Sequence, residues 1–246
     1  MPVDLVMPMA GRGSRFLTNG DRRPKPLIDL EGRPFFWWAV ESVRRSMGLG
    51  QTVFVVLQEH EREWRISERI RSYYPNAEVV ALPDVTKGAA ETAAIGLRIL
   101  DGRGPVAVND CDHAFVAGDL NATVTELSNG SAGALLTFRA DSPAYSYIRL
   151  DERDRVTGTV EKQVASPYAI AGCYLFASPK VYLEQFSTYA KECDYEELFI
   201  SGIYNGLLND GESVAWNVLT DHFAFGTPKE FETVRLRMVD RIGGWV

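Results

Sequence analysis

Three short stretches of this 246-residue chain hold residues suited to work on anions. The first is Gly11-Arg12-Gly13-Ser14-Arg15-Phe16, with Lys25 shortly after it. Glycines let backbone N–H groups come close to a ligand, and a nest of such groups binds anions. Arg15 adds a guanidinium fork that matches phosphate oxygens. Lys25 stands between Pro24 and Pro26. Those rings fix φ and push each preceding residue toward extended backbone, so the lysine projects as a positioned charge. The second stretch is Asn109-Asp110-Cys111-Asp112-His113. Carboxylates two residues apart point the same way in an extended segment. Such hard oxygen donors suit Mg²⁺, and His113 reads as a wall residue beside them. The third is Glu161-Lys162, an acid and a base closing a strand-like run.

These residues need elements to position them. Val3–Met9 is a short apolar run ahead of the glycine turn and reads as a buried strand. Apolar residues at helical spacing follow from Pro34 to Met47, then a strand at Thr52–Leu57, a helix at Glu61–Tyr74 and a strand at Glu78–Leu82. A helix at Ala89–Leu100 and a strand at Pro105–Val108 complete the series. Strands alternating with helices predict a mostly parallel sheet with helices on both faces. Both acidic residues then fall at a strand's C-terminal end, where open α/β sheets bind ligands. Beyond residue 130 the pattern changes. Ala132–Phe138, Ser146–Leu150, Arg155–Glu161 and Ala169–Phe176 read as closely spaced strands of a mixed or antiparallel extension. A helix at Tyr195–Leu208, a strand at Ser213–Val218 and a helix at Pro228–Val239 follow. No linker or repeat divides the chain, so 1–246 reads as one α/β domain with halves 1–130 and 131–246.

Composition narrows the classes. The chain is 46% hydrophobic and 24% charged, which excludes a disordered, collagen-like or coiled-coil protein. Its net charge of -7 argues against a nucleic-acid partner. The charge is uneven: residues 12–25 carry five bases and one acid, as suits a local anionic ligand. Cys111, Cys173 and Cys193 are odd in number and widely spaced, which argues against a disulfide framework or structural zinc and for a reducing compartment. No apolar run reaches membrane-span length, and Asp4 and Arg12 interrupt any signal-peptide core. The expectation is a cytoplasmic protein with no membrane partner, open to homo-oligomer formation.

The glycine stretch fits neither common phosphate motif. G-x-x-x-x-G-K-[ST] is absent, and Phe16 stands where a dinucleotide fold needs its third small residue. PMAGRGSRF followed by RPKPLI instead resembles the signature of the sugar-phosphate nucleotidyltransferases, also called NDP-sugar pyrophosphorylases. The likeness extends to Val160-Glu161-Lys162 and the strand Ala169–Phe176 and covers most of the chain. It implies a Rossmann-like nucleotide-binding fold, an NTP and a phosphorylated small-molecule acceptor as substrates, and Mg²⁺ as cofactor. By the resemblance, Ala10, Gly11 and Gly13 wrap the nucleotide, while Arg15 and Lys25 meet its phosphates. Asp112, with Asp110 second, holds the metal, and Gly88 and Glu91 lie in the base-recognition segment. Glu161 binds sugar hydroxyls, Lys162 binds the acceptor phosphate, and Gly172 permits close backbone approach.

The chain departs from the family pattern twice. Tyr145 is followed by Ser146 where many sugar enzymes carry Tyr-Gly. The family's D-x-G-T-P, whose aspartate is the second metal ligand, stands as Ala224-Phe225-Gly226-Thr227-Pro228, leaving Asp221 upstream as a candidate substitute. The expected activity is nucleotidyl transfer to a sugar 1-phosphate, as for surface-polysaccharide precursors. The alternatives are cytidylyl transfer to a small non-sugar phosphate, or a catalytically weak nucleotide-binding regulator.

Overall fold

The computed structural model describes residues 2–18, 20, 22–118 and 120–246. The apolar run Val3–Met9 forms β1, and the glycine turn leads into a single helical turn, α1 (Ser14–Leu17). A small hairpin, β2 (Asp29–Leu30) and β3 (Arg33–Pro34), precedes α2 (Phe35–Met47). Then come β4 (Leu49–Leu57), α3 (Gln58–Trp64), α4 (Ile66–Tyr73), β5 (Glu78–Leu82), α5 (Ala89–Leu97) and β6 (Val106–Asn109). The second half begins with β7 (His113–Val116), α6 (Asn121–Ser128), β8 (Gly133–Arg139), β9 (Tyr147–Leu150), β10 (Val156–Val160) and β11 (Tyr168–Phe176). It ends with α7 (Pro179–Glu192), α8 (Ser201–Asn209), β12 (Val214–Val218), β13 (Asp221–Ala224) and α9 (Pro228–Ile242).

Strands β6, β1, β4 and β5 lie side by side and parallel. Strand β11 joins this sheet antiparallel to β6, and β8, β9, β10 and β12 extend it. The expected parallel sheet with a mixed extension is therefore present. Its strands alternate as the pleat requires. Leu5, Met7, Phe54 and Val56 point into one core with α2, while Val6, Val53 and Val55 point into another with α5, α7 and α8. Helices thus cover both faces. Among the described residues no helix is long and apolar enough to cross a membrane.

The predicted helix over Glu61–Tyr74 is in fact two. Arg65 takes left-handed backbone at φ 50°, and Ser67 N donates to Glu61 Oε2 at 2.9 Å, so the glutamate starts a fresh helix. The helix predicted from Tyr195 begins only at Ser201. Leu198 bonds through its backbone to Lys87 O and Ala90 N, each at 2.9 Å, which holds the preceding segment extended. Strands β7 and β13 escaped the sequence reading. They pair antiparallel, Ala224 opposite His113, and bring the Asp112 turn beside the Ala224–Gly226 turn.

Candidate active site

Strand β4 lies on one side of β1 and strand β6 on the other, so the chain reverses direction at β1. Ligand crevices of open α/β sheets form outside the strand ends at such a point. A cleft of about 840 Å³ opens there. Ala10, Gly11, Gly13 and Arg15 line it. Lys25, Asp110, Asp112, Glu161, Lys162 and Gly172 line it as well.

Lys25 Nζ donates to Asp112 Oδ2 at 2.7 Å. Burial disfavours the Lys25 charge, but the Asp112 carboxylate outweighs it, and the ammonium is held above its ordinary range. Burial likewise pushes Asp112 up, while the Lys25 charge brings it below the usual carboxylate value. Asp110 makes no such ion pair among the described residues: burial, then the Asp112 charge, raises it to about 7 against the Lys25 charge. The loop and the lysine are packed together, since a Cβ on Gly13 would sit 2.9 Å from Lys25 Cβ. Arg12 belongs elsewhere. Its guanidinium pairs with Asp84 at 2.9 Å and with Glu59 at 3.4 Å.

Gly172 explains how Asp110 is seated. It lies at φ +76° within a register shift between β11 and β8. Its carbonyl accepts from Asp110 N at 2.9 Å, and an added Cβ would stand 3.0 Å from Asp110 Oδ2. Few side chains adopt that backbone, and there is no room for one. His113 is the wall residue expected. It is buried, with Nε2 against Asn109 Oδ1 at 3.1 Å, and burial lowers its imidazole to about 4.

Two expected residues lie outside the cleft lining. Glu91 Oε2 accepts from Lys87 N at 2.7 Å and so caps the start of α5 rather than reaching a base. Gly88 does line the cleft, but its glycine serves chain packing: a Cβ would meet Leu198 N and O at 2.6 Å. Asp221 sits on β13 with its carboxylate on Arg241, 2.7 Å away. Strand parity decides this, because Ala224 and His222 share the cleft-facing side and Asp221 shares the other with buried Phe223. Asp221 is not placed to substitute for the missing carboxylate.

Other cleft residues were missed. Tyr145 donates to Glu230 Oε1 at 3.0 Å, and Thr227 with Glu230 caps α9, a Thr-x-x-Glu signature legible in sequence. Glu161 Oε2 accepts from Ser146 Oγ and from Ser201 Oγ, the latter at 2.9 Å. Lys162 lies in left-handed backbone at φ 52°, with Nζ 4.8 Å from the centre of the Phe199 ring. Ser201 and Phe199 are brought in by a distant segment and had no local signal.

The donor set fits a magnesium ion completed by its substrate. Among the described residues no three His, Cys, Asp or Glu side chains form a full ligand cluster. Mg²⁺ is held by one or two carboxylates together with phosphates, and Asp112 and Asp110 supply two. Gly226 leaves room beside Asp112, where a Cβ would stand 2.6 Å from Oδ2.

The model of the nucleotidyl transferase family matches residues 6–239. The chain belongs to that family. A nucleoside-diphosphate-sugar pyrophosphorylase from Vibrio cholerae superposes with a TM-score of 0.80 at 25% identity, covering 95% of this chain and 99% of that one. The inositol-1-phosphate CTP transferase from T. maritima shares the fold, with a TM-score of 0.78 at 16% identity and 98% of each chain covered. A 2-C-methyl-D-erythritol 4-phosphate cytidylyltransferase from Rhodococcus jostii is 29% identical over 164 residues, which spans 65% of this chain and 66% of the relative.

Proposed function

We propose that this protein transfers a nucleotidyl group from an NTP to a phosphorylated, hydroxyl-bearing small molecule. An acceptor phosphate oxygen forms a bond to the α-phosphorus, and the α–β bridging bond breaks as pyrophosphate leaves with its electron pair. The observation that carries this reading is one cleft holding the glycine loop, the Lys25–Asp112 pair and Glu161-Lys162 together. Both reactants are anions, so catalysis here is positioning and charge neutralisation. Ala10, Gly11 and Gly13 shape the nucleotide side, with Gly88 on the wall against which the base lies. Arg15 holds the departing pyrophosphate portion, and Lys25 faces the reacting α-phosphate. Lys162 anchors the acceptor phosphate and Glu161 accepts from an acceptor hydroxyl. Asp112, with Asp110, would hold Mg²⁺, which supplies charge neutralisation on the phosphate oxygens when bound. With Cys111 and Cys173 buried as free thiols, a reducing cytoplasm is the compartment we assign.

Two acceptor classes follow. Sugar 1-phosphates are the first, supported by the likeness to the Vibrio cholerae pyrophosphorylase. Small phosphorylated alcohols are the second, favoured by Ser146 beside Glu161. The test is pyrophosphate release with each of four NTPs against a panel of both classes. Robust release with one pairing supports the reading. Nucleotide binding without release under any pairing points to the regulatory alternative.

A further inference from the structure

Lys162, which anchors the acceptor phosphate in the proposed reaction, is held by a ring rather than by an acid. Its Nζ lies over the face of Phe199, 4.8 Å from the ring centre. Among the described residues it has no ion-pair partner. Glu161, its neighbour in sequence, accepts from the hydroxyls of Ser146 and Ser201 instead. Lys25, by contrast, is paired with Asp112 at 2.7 Å. The Lys162 backbone is left-handed at φ 52°, and a residue other than glycine keeps that conformation only where its surroundings impose it.

The ring is itself fixed. Tyr195 packs against it in a T-shaped pair, with ring centres 5.7 Å apart. Leu198, the residue before it, is tied through its backbone to Lys87 O and Ala90 N, each at 2.9 Å. The Phe199 carbonyl accepts from Gly202 N at 3.3 Å, where α8 begins. Phe199 and Lys162 line the same cleft.

A ring and a carboxylate hold a lysine differently. A carboxylate cancels the charge and must be displaced before a phosphate takes its place. The face of an aromatic ring attracts a cation through its quadrupole and leaves the charge uncancelled. A lysine that swings freely also loses side-chain freedom when it closes on a ligand. One already seated has lost part of that freedom before the ligand arrives. We infer that Phe199 is a positioning residue for the acceptor, whose ring seats the Lys162 ammonium, charged and unpaired, to receive the acceptor phosphate. This rests on the nucleotidyltransferase reading and deepens it: acceptor affinity depends on the electrons of the Phe199 ring, not only on its bulk.

The experiment follows the Lys162 side-chain signals by NMR in the full chain carrying isotopically labelled lysine, with a non-hydrolysable NTP present. The probes are inorganic phosphate, α-glucose 1-phosphate and glycerol 3-phosphate. The wild type is compared with Phe199→Leu, Phe199→Tyr, Lys162→Met and a protein carrying trifluorophenylalanine at position 199. Leucine fills the space without a ring, the fluorines keep the shape but draw negative charge from the face, and tyrosine keeps the charged face. Before any probe is added, the ring should shift the Lys162 methylene protons upfield, and Phe199→Leu should abolish that shift. Phe199→Leu and the fluorinated protein should bind the phosphate probes about three- to tenfold more weakly, the weight of one cation–π contact and one ordered side chain. Phe199→Tyr should bind them as the wild type does, and affinity for the NTP should not change in any Phe199 variant. A ring that only packs would leave the fluorinated protein like the wild type, and that result overturns the inference. Weaker binding in Lys162→Met but not in Phe199→Leu also overturns it, while leaving Lys162 as the anchor. If no probe moves the wild-type Lys162 signals, or Lys162→Met binds the probes undiminished, the assignment of Lys162 falls and the inference falls with it.

Discussion

Lys25 and Asp112 neutralise one another at 2.7 Å in the middle of the cleft, and each holds the other charged. Replacing Lys25 by Ala removes the charge that the proposed mechanism sets against the reacting phosphate. Pyrophosphate release should fall by about 10²–10³-fold. A melting curve close to wild type would separate this from unfolding, and near-normal turnover would take Lys25 out of the mechanism. Asp221 makes the opposite prediction. Its pair with Arg241 is at the surface, where water screens the two charges and the pair adds little to stability. Asp221→Asn should leave turnover and magnesium dependence unchanged in a metal titration. The histidines set a pH dependence. Burial lowers His113 to about 4 and also lowers His60 and His222. Unfolded imidazoles bind protons below about 6.5. Asp110 works the other way, since its folded value of about 7 lets the folded state hold a proton that the unfolded carboxyl takes up only below about 4. Three imidazoles outweigh that one carboxyl, so the unfolded state binds more protons between pH 6.5 and 4, and stability should fall as pH drops through that window. Melting temperatures at pH 7 and pH 4.5 test this, and His113→Gln should narrow the gap between them. At this scale the sequence was legible in placement, since residue type and spacing picked out Arg15, Lys25 and Asp112, which the fold brings to one cleft. It misled at Glu91, because a capping carboxylate and a ligand-facing one occupy the same position in a helix start. It was silent on Ser201, which reaches Glu161 only through tertiary folding.

Among the elements, the segment from Lys87 to Ala90 has an unusual neighbour. Backbone bonds at Leu198 tie it to the stretch that carries Phe199 and leads into α8. Gly88 makes that approach possible. Gly88→Ala puts a methyl onto the Leu198 backbone and onto a φ of 152°, so both segments must move. Overpacking of this kind costs about 1–3 kcal/mol, to be read in urea unfolding. The same change should raise KM for nucleotide and acceptor together, since one displacement touches both walls. The apolar strands β1 and β4 and the buried helix α2 were readable because their patterns are sustained. Strands β7 and β13 were not. Each has four residues, and each is a strand only because the other lies beside it. The parity that turns Ala224 inward and Asp221 outward belongs to that pairing. No spacing argument within residues 221–224 contained it.

Across the whole molecule, the two halves expected from sequence share one nine-stranded sheet. Strand β11, from late in the chain, lies directly against β6, from the early half. The alternation of strands and helices made the parallel portion legible. The insertion of a later strand beside β6 was not, because antiparallel pairing across such a separation leaves no periodic trace. This placement has a consequence for synthesis. While residues up to 130 have been made, β6 has a neighbour on one side only, and its other edge presents unpaired backbone. Such an edge invites pairing with a second chain. Nascent chains halted after residue 130 should therefore remain protease-sensitive and occupy holding chaperones, whereas chains extended past residue 176 should become resistant. Ribosome-bound intermediates of both lengths, compared by limited proteolysis, would show whether the early half waits for β11 before its fold closes.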